Sequence, residues 1–238
     1  LMLSKTKLRP TREDGRLDRE ILSETFTIGL PALGTTFVSC FGYIAFARMV
    51  SGMGTTIFAA HSIAITAEQI VYIPGYGLRV ATSTLVGNAL GEKDIRKLKA
   101  TERVSILITL LIMVVNGIGL YLFAYPFMRL FTNSVNAARI GSEMLRLVSF
   151  SEPFFGLMIV LEGISYGMGR TKHVFACEAV SMWGIRIFGT FLCVNVFGLG
   201  LKAVWLCMIA DNICKAILLY IFRPKHVEEN ADDRGELR

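Results

Sequence analysis

The residues with chemistry to offer are charges in places where charge is costly. Glu68 and Arg79, then Arg146, Glu152 and Glu162, then Glu178 and Arg186, and finally Asp211 and Lys215 all fall inside long apolar stretches. An ionisable side chain at the centre of a hydrocarbon layer costs about 2.5–3.5 kcal/mol on insertion scales, so each needs a partner, a water-filled cavity or a task. Two kinds of chemistry fit such groups: internal ion pairing, and reversible binding of a cation or proton. Asp211 and Lys215 are spaced i, i+4 with the acid first, which places them on one helix face as a ready ion pair. Glu178 and Arg186 lie about 2.2 helical turns apart and share a face only loosely, so spacing leaves Arg186 to pair with Glu178, with Asp211 or with neither.

Glu68 has no basic residue within one helical turn and precedes Pro74 in the same stretch. Proline lacks an amide donor and frees the carbonyl four residues earlier, here that of Ile70. Together with Gly75 and Gly77 this predicts a hinge or an interrupted helix, and irregular backbone at membrane depth survives only against protein or a water-filled cavity. Glu152-Pro153 repeats the combination, with Ser149 carrying the freed carbonyl. Glu68, Glu152, Glu162 and Asp211 are therefore the candidate lining of a cavity for cation, proton or substrate. Pro74, Gly75, Gly77 and Pro153 are the candidate helix breaks, and Arg79, Arg186 and Lys215 the charge partners.

Other chemistry finds no support. The chain has no His-Glu-x-x-His, no Gly-x-Ser-x-Gly and no phosphate loop ending in Gly-Lys-Ser/Thr, so it does not read as an enzyme and calls for no cofactor. Its three histidines are dispersed and identify no metal site. The five cysteines form no C-x-x-C pair and sit in apolar stretches, where they read as small hydrophobes rather than as ligands or disulfides.

The elements that must position these groups are membrane helices. Hydrophobic residues make up 53% of the chain and charged residues 18%, with mean hydropathy +0.53. Residues 25–47 and 104–128 contain no Asp, Glu, Lys or Arg, and each exceeds the about 20 residues that cross a bilayer. The pattern predicts an all-α integral membrane protein, a bundle of six transmembrane helices near 24–49, 55–89, 95–124, 135–167, 173–197 and 201–222. Residues 1–23 form a cytoplasmic segment before it and 223–238 a solvated cytoplasmic tail. Gly87-x-x-x-Gly91 and Gly163-x-x-x-Gly167 read as close helix packing.

Basic residues cluster before Glu20, between Lys93 and Arg103, at Arg170 and Lys172 and after Phe222, whereas the opposite junctions hold Arg48, Arg129 and Lys202. The positive-inside bias then places both termini in the cytoplasm of a multi-pass protein of the cell membrane. It also accounts for the net charge of +6 without nucleic acid as a partner. The first residue is Leu1 rather than Met, which points to a fragment or a processed product.

Several short motifs occur together: "GLP" at Gly29–Pro31, "FAAHSIA" at Phe58–Ala64, "IP" at Ile73–Pro74, "LVGNALGEKD" at Leu85–Asp94 and "YGMGRTKH" at Tyr166–His173. In this order they resemble helices seven and eight and the loop between helices ten and eleven of multidrug and toxin extrusion (MATE) transporters, over about residues 20–223. The resemblance implies the C-terminal six-helix lobe of a twelve-helix transporter whose two lobes rock around a central cavity. It further implies export of organic cations or other amphipathic compounds in exchange for Na⁺ or H⁺. The partners it implies are membrane lipid, such substrates, and a missing N-terminal lobe or a second copy of the chain. The coupling aspartate that many bacterial members carry in helix one has no counterpart here. A glutamate of helix seven and an aspartate of helix ten, used by one branch, fall at Ser39 and Phe155. Half of a lipid or polysaccharide flippase of the same superfamily, or a nonfunctional or regulatory membrane fragment that binds a partner, are the alternatives.

Overall fold

The computed structural model describes residues 19–222. The tail expected at 223–238 lies outside them, as does the expected N-terminal segment up to residue 18. The described residues are all helical in their regular structure: α1 (Arg19–Ser51), α2 (Thr55–Gly91), α3 (Ile95–Phe131), α4 (Val135–Ser149), α5 (Glu152–Gly167), α6 (Thr171–Ser181), α7 (Phe188–Phe191) and α8 (Leu201–Ile221). π-Helical turns at Met182–Ile187 and Leu192–Val196 flank α7, so that Thr171–Val196 forms one apolar span. Five helices are long and apolar enough to cross a membrane, and six if α4 and α5 count as one bent span. Large apolar side chains such as Phe26, Leu30, Phe37 and Phe41 on α1, and Leu107, Leu111, Val115 and Leu122 on α3, remain exposed. In water that surface is untenable, and in lipid it is the ordinary outside of a bundle.

The backbone breaks at one of the two proline sites and not at the other. α2 runs without interruption from Thr55 to Gly91 with Pro74, Gly75 and Gly77 inside it, so this helix is not broken at those residues. Its weakened turn receives help from a neighbour, because Asn116 Nδ2 on α3 donates to the Val71 carbonyl at 3.1 Å. Outside donors of this kind are what let a membrane helix keep a proline. The break occurs instead between α4 and α5, whose axes differ by 61°. Pro153 sits in the first turn of α5, where its missing N–H deprives no carbonyl of a partner.

Glycines bring the backbones together around that break. A Cβ at Gly117 would lie 2.7 Å from the Ser149 carbonyl oxygen, and one at Gly163 2.7 Å from that of Arg79. Gly167 meets the Ser83 carbonyl in the same way, so Gly163 and Gly167 seat α5 on α2 at adjacent turns. No atom of another helix lies close to Gly91, and only the first glycine of Gly87-x-x-x-Gly91 takes part, against the Gly167 carbonyl.

Two apolar clusters fill the bundle. One collects Phe46, Ala64, Ala67, Met128, Val148 and Trp205 and their neighbours, toward the loops that join α1 to α2 and α3 to α4. The other collects Tyr72, Met113, Phe155, Ile159, Ala216 and Leu219, toward the loop joining α2 to α3. Along α2, the α4–α5 break and α8, the residues that separate the two clusters are Glu68, Ser149 to Glu152, and Asp211 with Asn212. A polar layer thus divides an otherwise apolar core.

Candidate functional site

Helix geometry decides which charges meet. Asp211 and Lys215, four apart on α8, form ion pairs with different residues of the neighbouring span instead of with each other. Lys215 Nζ pairs with a carboxylate oxygen of Glu178, and Arg186 pairs with Asp211 Oδ2 at 2.8 Å. The second guanidinium contact goes to Asn212 Oδ1 at 3.2 Å. Arg186 stands in the π-helical turn Met182–Ile187, facing the rings of Tyr43 and Phe46 of α1 at 5.5 and 5.9 Å. The π turn alters the helical register next to the ion pair, and such turns concentrate at functional positions. Ser39 of α1 donates to the second oxygen of Glu178, so that carboxylate is held from two sides.

Arg79 of α2 meets Glu162 of α5 at 3.0 Å, with its guanidinium carbon 5.2 Å from the centre of the Tyr76 ring. Glu162 is buried, whereas the Arg79 side chain keeps 32% of its surface. The three charge partners Arg79, Lys215 and Arg186 are therefore engaged by different carboxylates, Glu162, Glu178 and Asp211 respectively. Arg146, on the exposed side of α4, stands apart from this group.

Glu68 and Glu152 are left without a cationic partner among the described residues. Glu68 is 2% exposed and accepts a hydrogen bond from the Tyr72 hydroxyl one turn further along α2. The Tyr72 ring is itself fixed by stacking on Phe155 of α5, with centroids 3.7 Å apart. Glu152 is fully buried, and neither of its carboxylate oxygens has a hydrogen-bond donor. It opens α5 directly after the 61° break, with its stem against Gly117 of α3. Both are thus buried carboxylates without an ion-pair partner among the described residues, and burying an uncompensated charge is costly.

Ser39, Tyr72, Asn116 and Asn212 are the partners that the charge pattern did not announce. A neutral side chain in an apolar helix gives little sign of its role, although Tyr72 lies i, i+4 from Glu68 and could have been found by that spacing. A groove of about 470 Å³ opens between α3 and the α4–α5 break, lined by Val114, Ile118, Leu122, Ser149, Phe150 and Pro153 among others. Among the described residues no group of three or more His, Cys, Asp or Glu side chains has an arrangement for holding a metal ion.

Sequence and fold comparisons agree with this architecture. The MatE family model matches residues 31–192. The chain is 30% identical over 201 residues to a probable multidrug resistance protein NorM of Thermotoga maritima, covering 84% of this chain and 43% of that protein. A MOP superfamily transporter from Pyrococcus furiosus, described as having a binding pocket of reverse polarity, superposes with TM-score 0.85 at 21% identity over 94% of this chain and 50% of that one. A MATE protein in its straight conformation gives 0.86 at 20% identity over 96% and 52%. The chain therefore spans about half the length of the relatives it matches, and its fold is one lobe of theirs. With an all-helical bundle, apolar outer faces and a family match across most of its length, this multi-pass membrane protein belongs to the MATE family.

Proposed function

We propose that this lobe is the C-terminal half of a secondary active multidrug exporter. It antiports organic cations or other amphipathic compounds against Na⁺ or H⁺, with the lobes rocking about a central cavity and both termini in the cytoplasm. The observation that carries the reading is the pair Glu68 and Glu152, buried and without cation partners. The coupling ion binds at these carboxylates. Its arrival changes the charge of the polar layer at the 61° break between α4 and α5. The ion pairs Arg79–Glu162, Lys215–Glu178 and Arg186–Asp211 neutralise the other buried charges of these helices, so a single charge at Glu68 and Glu152 has a defined electrostatic effect. Family membership supports transport, and the basic residues of the α2–α3 and α5–α6 junctions support the orientation.

The test is energised efflux of a fluorescent organic cation from transporter-deficient cells, with Na⁺ and pH gradients dissipated separately. The chain is expressed alone and together with the N-terminal lobe of a relative. Efflux that stops when one gradient is removed identifies the coupling ion, and Glu68→Gln and Glu152→Gln are expected to abolish it in chains shown to be inserted. Undiminished, ion-coupled efflux in both variants would refute the assignment.

A further inference from the structure

α6, its continuation and α8 run antiparallel, and three contacts lie in order along the seam between them. Glu178 meets Lys215, Arg186 meets Asp211, and at the far end Cys193 meets Cys207 with the sulfurs 3.7 Å apart. Residue numbers rise along one span as they fall along the other, as one continuous seam requires. The first two contacts are ion pairs that open and close without covalent change. The third is a pair of thiols in van der Waals contact.

The local backbone is built to bring these sulfurs together. Cys193 lies in the π-helical turn Leu192–Val196, which ends in a tight reversal: Phe197 N–H donates to the Leu192 carbonyl at 3.0 Å and Leu199 N–H to that of Cys193 at 2.7 Å. Gly198, with φ +60°, supplies the left-handed residue of the turn. Cys207 lies two turns into α8, and its thiol fits where Gly189 has no side chain, since a Cβ there would stand 3.3 Å from Cys207 Sγ. Both cysteines are only partly buried, so small oxidants reach them. A disulfide requires the sulfurs to close by about 1.7 Å, to roughly 2.05 Å.

We propose that Cys193 and Cys207 form an oxidisable dithiol site, and that the resulting disulfide fastens span five to span six at the end of the seam. The oxidant is a small disulfide. One cysteine thiolate attacks it, expelling one thiolate and leaving a mixed disulfide on the protein. The second cysteine, as thiolate, attacks the protein-bound sulfur and expels the other. Two protein thiols are oxidised, one S–S bond forms in the protein, one breaks in the reagent, and the reagent leaves as two thiols. This site revises the reading of all five cysteines as inert small hydrophobes, and it stands independently of any transport activity.

The experiment uses the full chain in detergent micelles, treated with dithiodipyridine, a membrane-permeable aromatic disulfide. Thiols that remain are alkylated after denaturation, and the peptides are mapped by mass spectrometry. Expected are a peptide linking Cys193 to Cys207, loss of alkylation at both, and release of two thiopyridones for each link formed. Cys193→Ser is expected to leave Cys207 trapped as a mixed disulfide, and Cys207→Ser the reverse. If in the unsubstituted chain both cysteines remain alkylatable, or each carries its own thiopyridyl adduct, or the links join other cysteines instead, the proposal is overturned. The unsubstituted chain alone decides this, even should a serine variant misfold.

Discussion

Replacing Arg186 with methionine removes the cation from an ion pair whose partner Asp211 is fully buried. At 2.8 Å the pair's attraction is about 6 kcal/mol for an effective dielectric constant near 20, and much of it offsets the desolvation of both groups. Losing one member is the costly change: about 3–5 kcal/mol, because the remaining charge stays buried without a counter-ion. For a domain of this size that corresponds to a fall of roughly 6–20 °C in the unfolding midpoint. Asp211→Leu alone should cost a similar amount, leaving the guanidinium its hydrogen bond to Asn212 but no counter-charge at this position. The double variant Arg186→Met/Asp211→Leu removes both charges together and should return to within about 1 kcal/mol of the parent. The assay is thermal unfolding of purified chains in one detergent, followed by circular dichroism and by the surviving monodisperse fraction on size-exclusion chromatography. A double variant whose loss equals the sum of the two single losses would refute the reasoning, because the residues would then act independently. So would an Arg186→Met chain as stable as the parent.

Two further outcomes follow from the break between α4 and α5. Gly117→Ala introduces a Cβ 2.7 Å from the Ser149 carbonyl oxygen and should destabilise by about 1–3 kcal/mol through overpacking. Gly119→Ala, with no atom of another helix within 4 Å, should not, and equal midpoints for the two chains would contradict the packing described. Glu152→Gln removes a potential charge from a buried group that makes no hydrogen bond, so it should not lower the unfolding midpoint. Asp211→Asn should lower it by breaking the pair with Arg186, and a larger loss from Glu152→Gln than from Asp211→Asn would show that Glu152 has a stabilising partner.

Several features were legible because they depend on composition along one helix. Charge-free runs such as 104–128 can only be placed in hydrocarbon, and basic residues at alternate junctions have an energetic reason to stay on one side. The motifs from Gly29 to His173 brought the family within reach for the same reason: they are local. The identity of the buried charges was equally plain, since an acidic residue inside an apolar run has no surface to occupy.

What the linear order could not decide was how those charges pair and where the backbone yields. The i, i+4 rule joins Asp211 to Lys215 for an isolated helix, but in the bundle an antiparallel neighbour brings Glu178 to Lys215 and Arg186 to Asp211. The guanidinium of Arg186 donates a hydrogen bond to Asn212, while the adjacent Asp211 answers its charge as an ion pair. Pro74 and Pro153 look alike in sequence, yet only the second lies at a break. At Pro74 a side chain from α3, Asn116, reaches the loosened turn, whereas Pro153 starts a new helix at no cost in hydrogen bonds. The membrane class and the buried charges could thus be read along the chain. Their pairing, and the lack of an ion-pair partner for Glu68 and Glu152 among the described residues, arise from packing, because a counter-ion or a carbonyl's partner is found in space among neighbouring helices, beyond the reach of spacing along one.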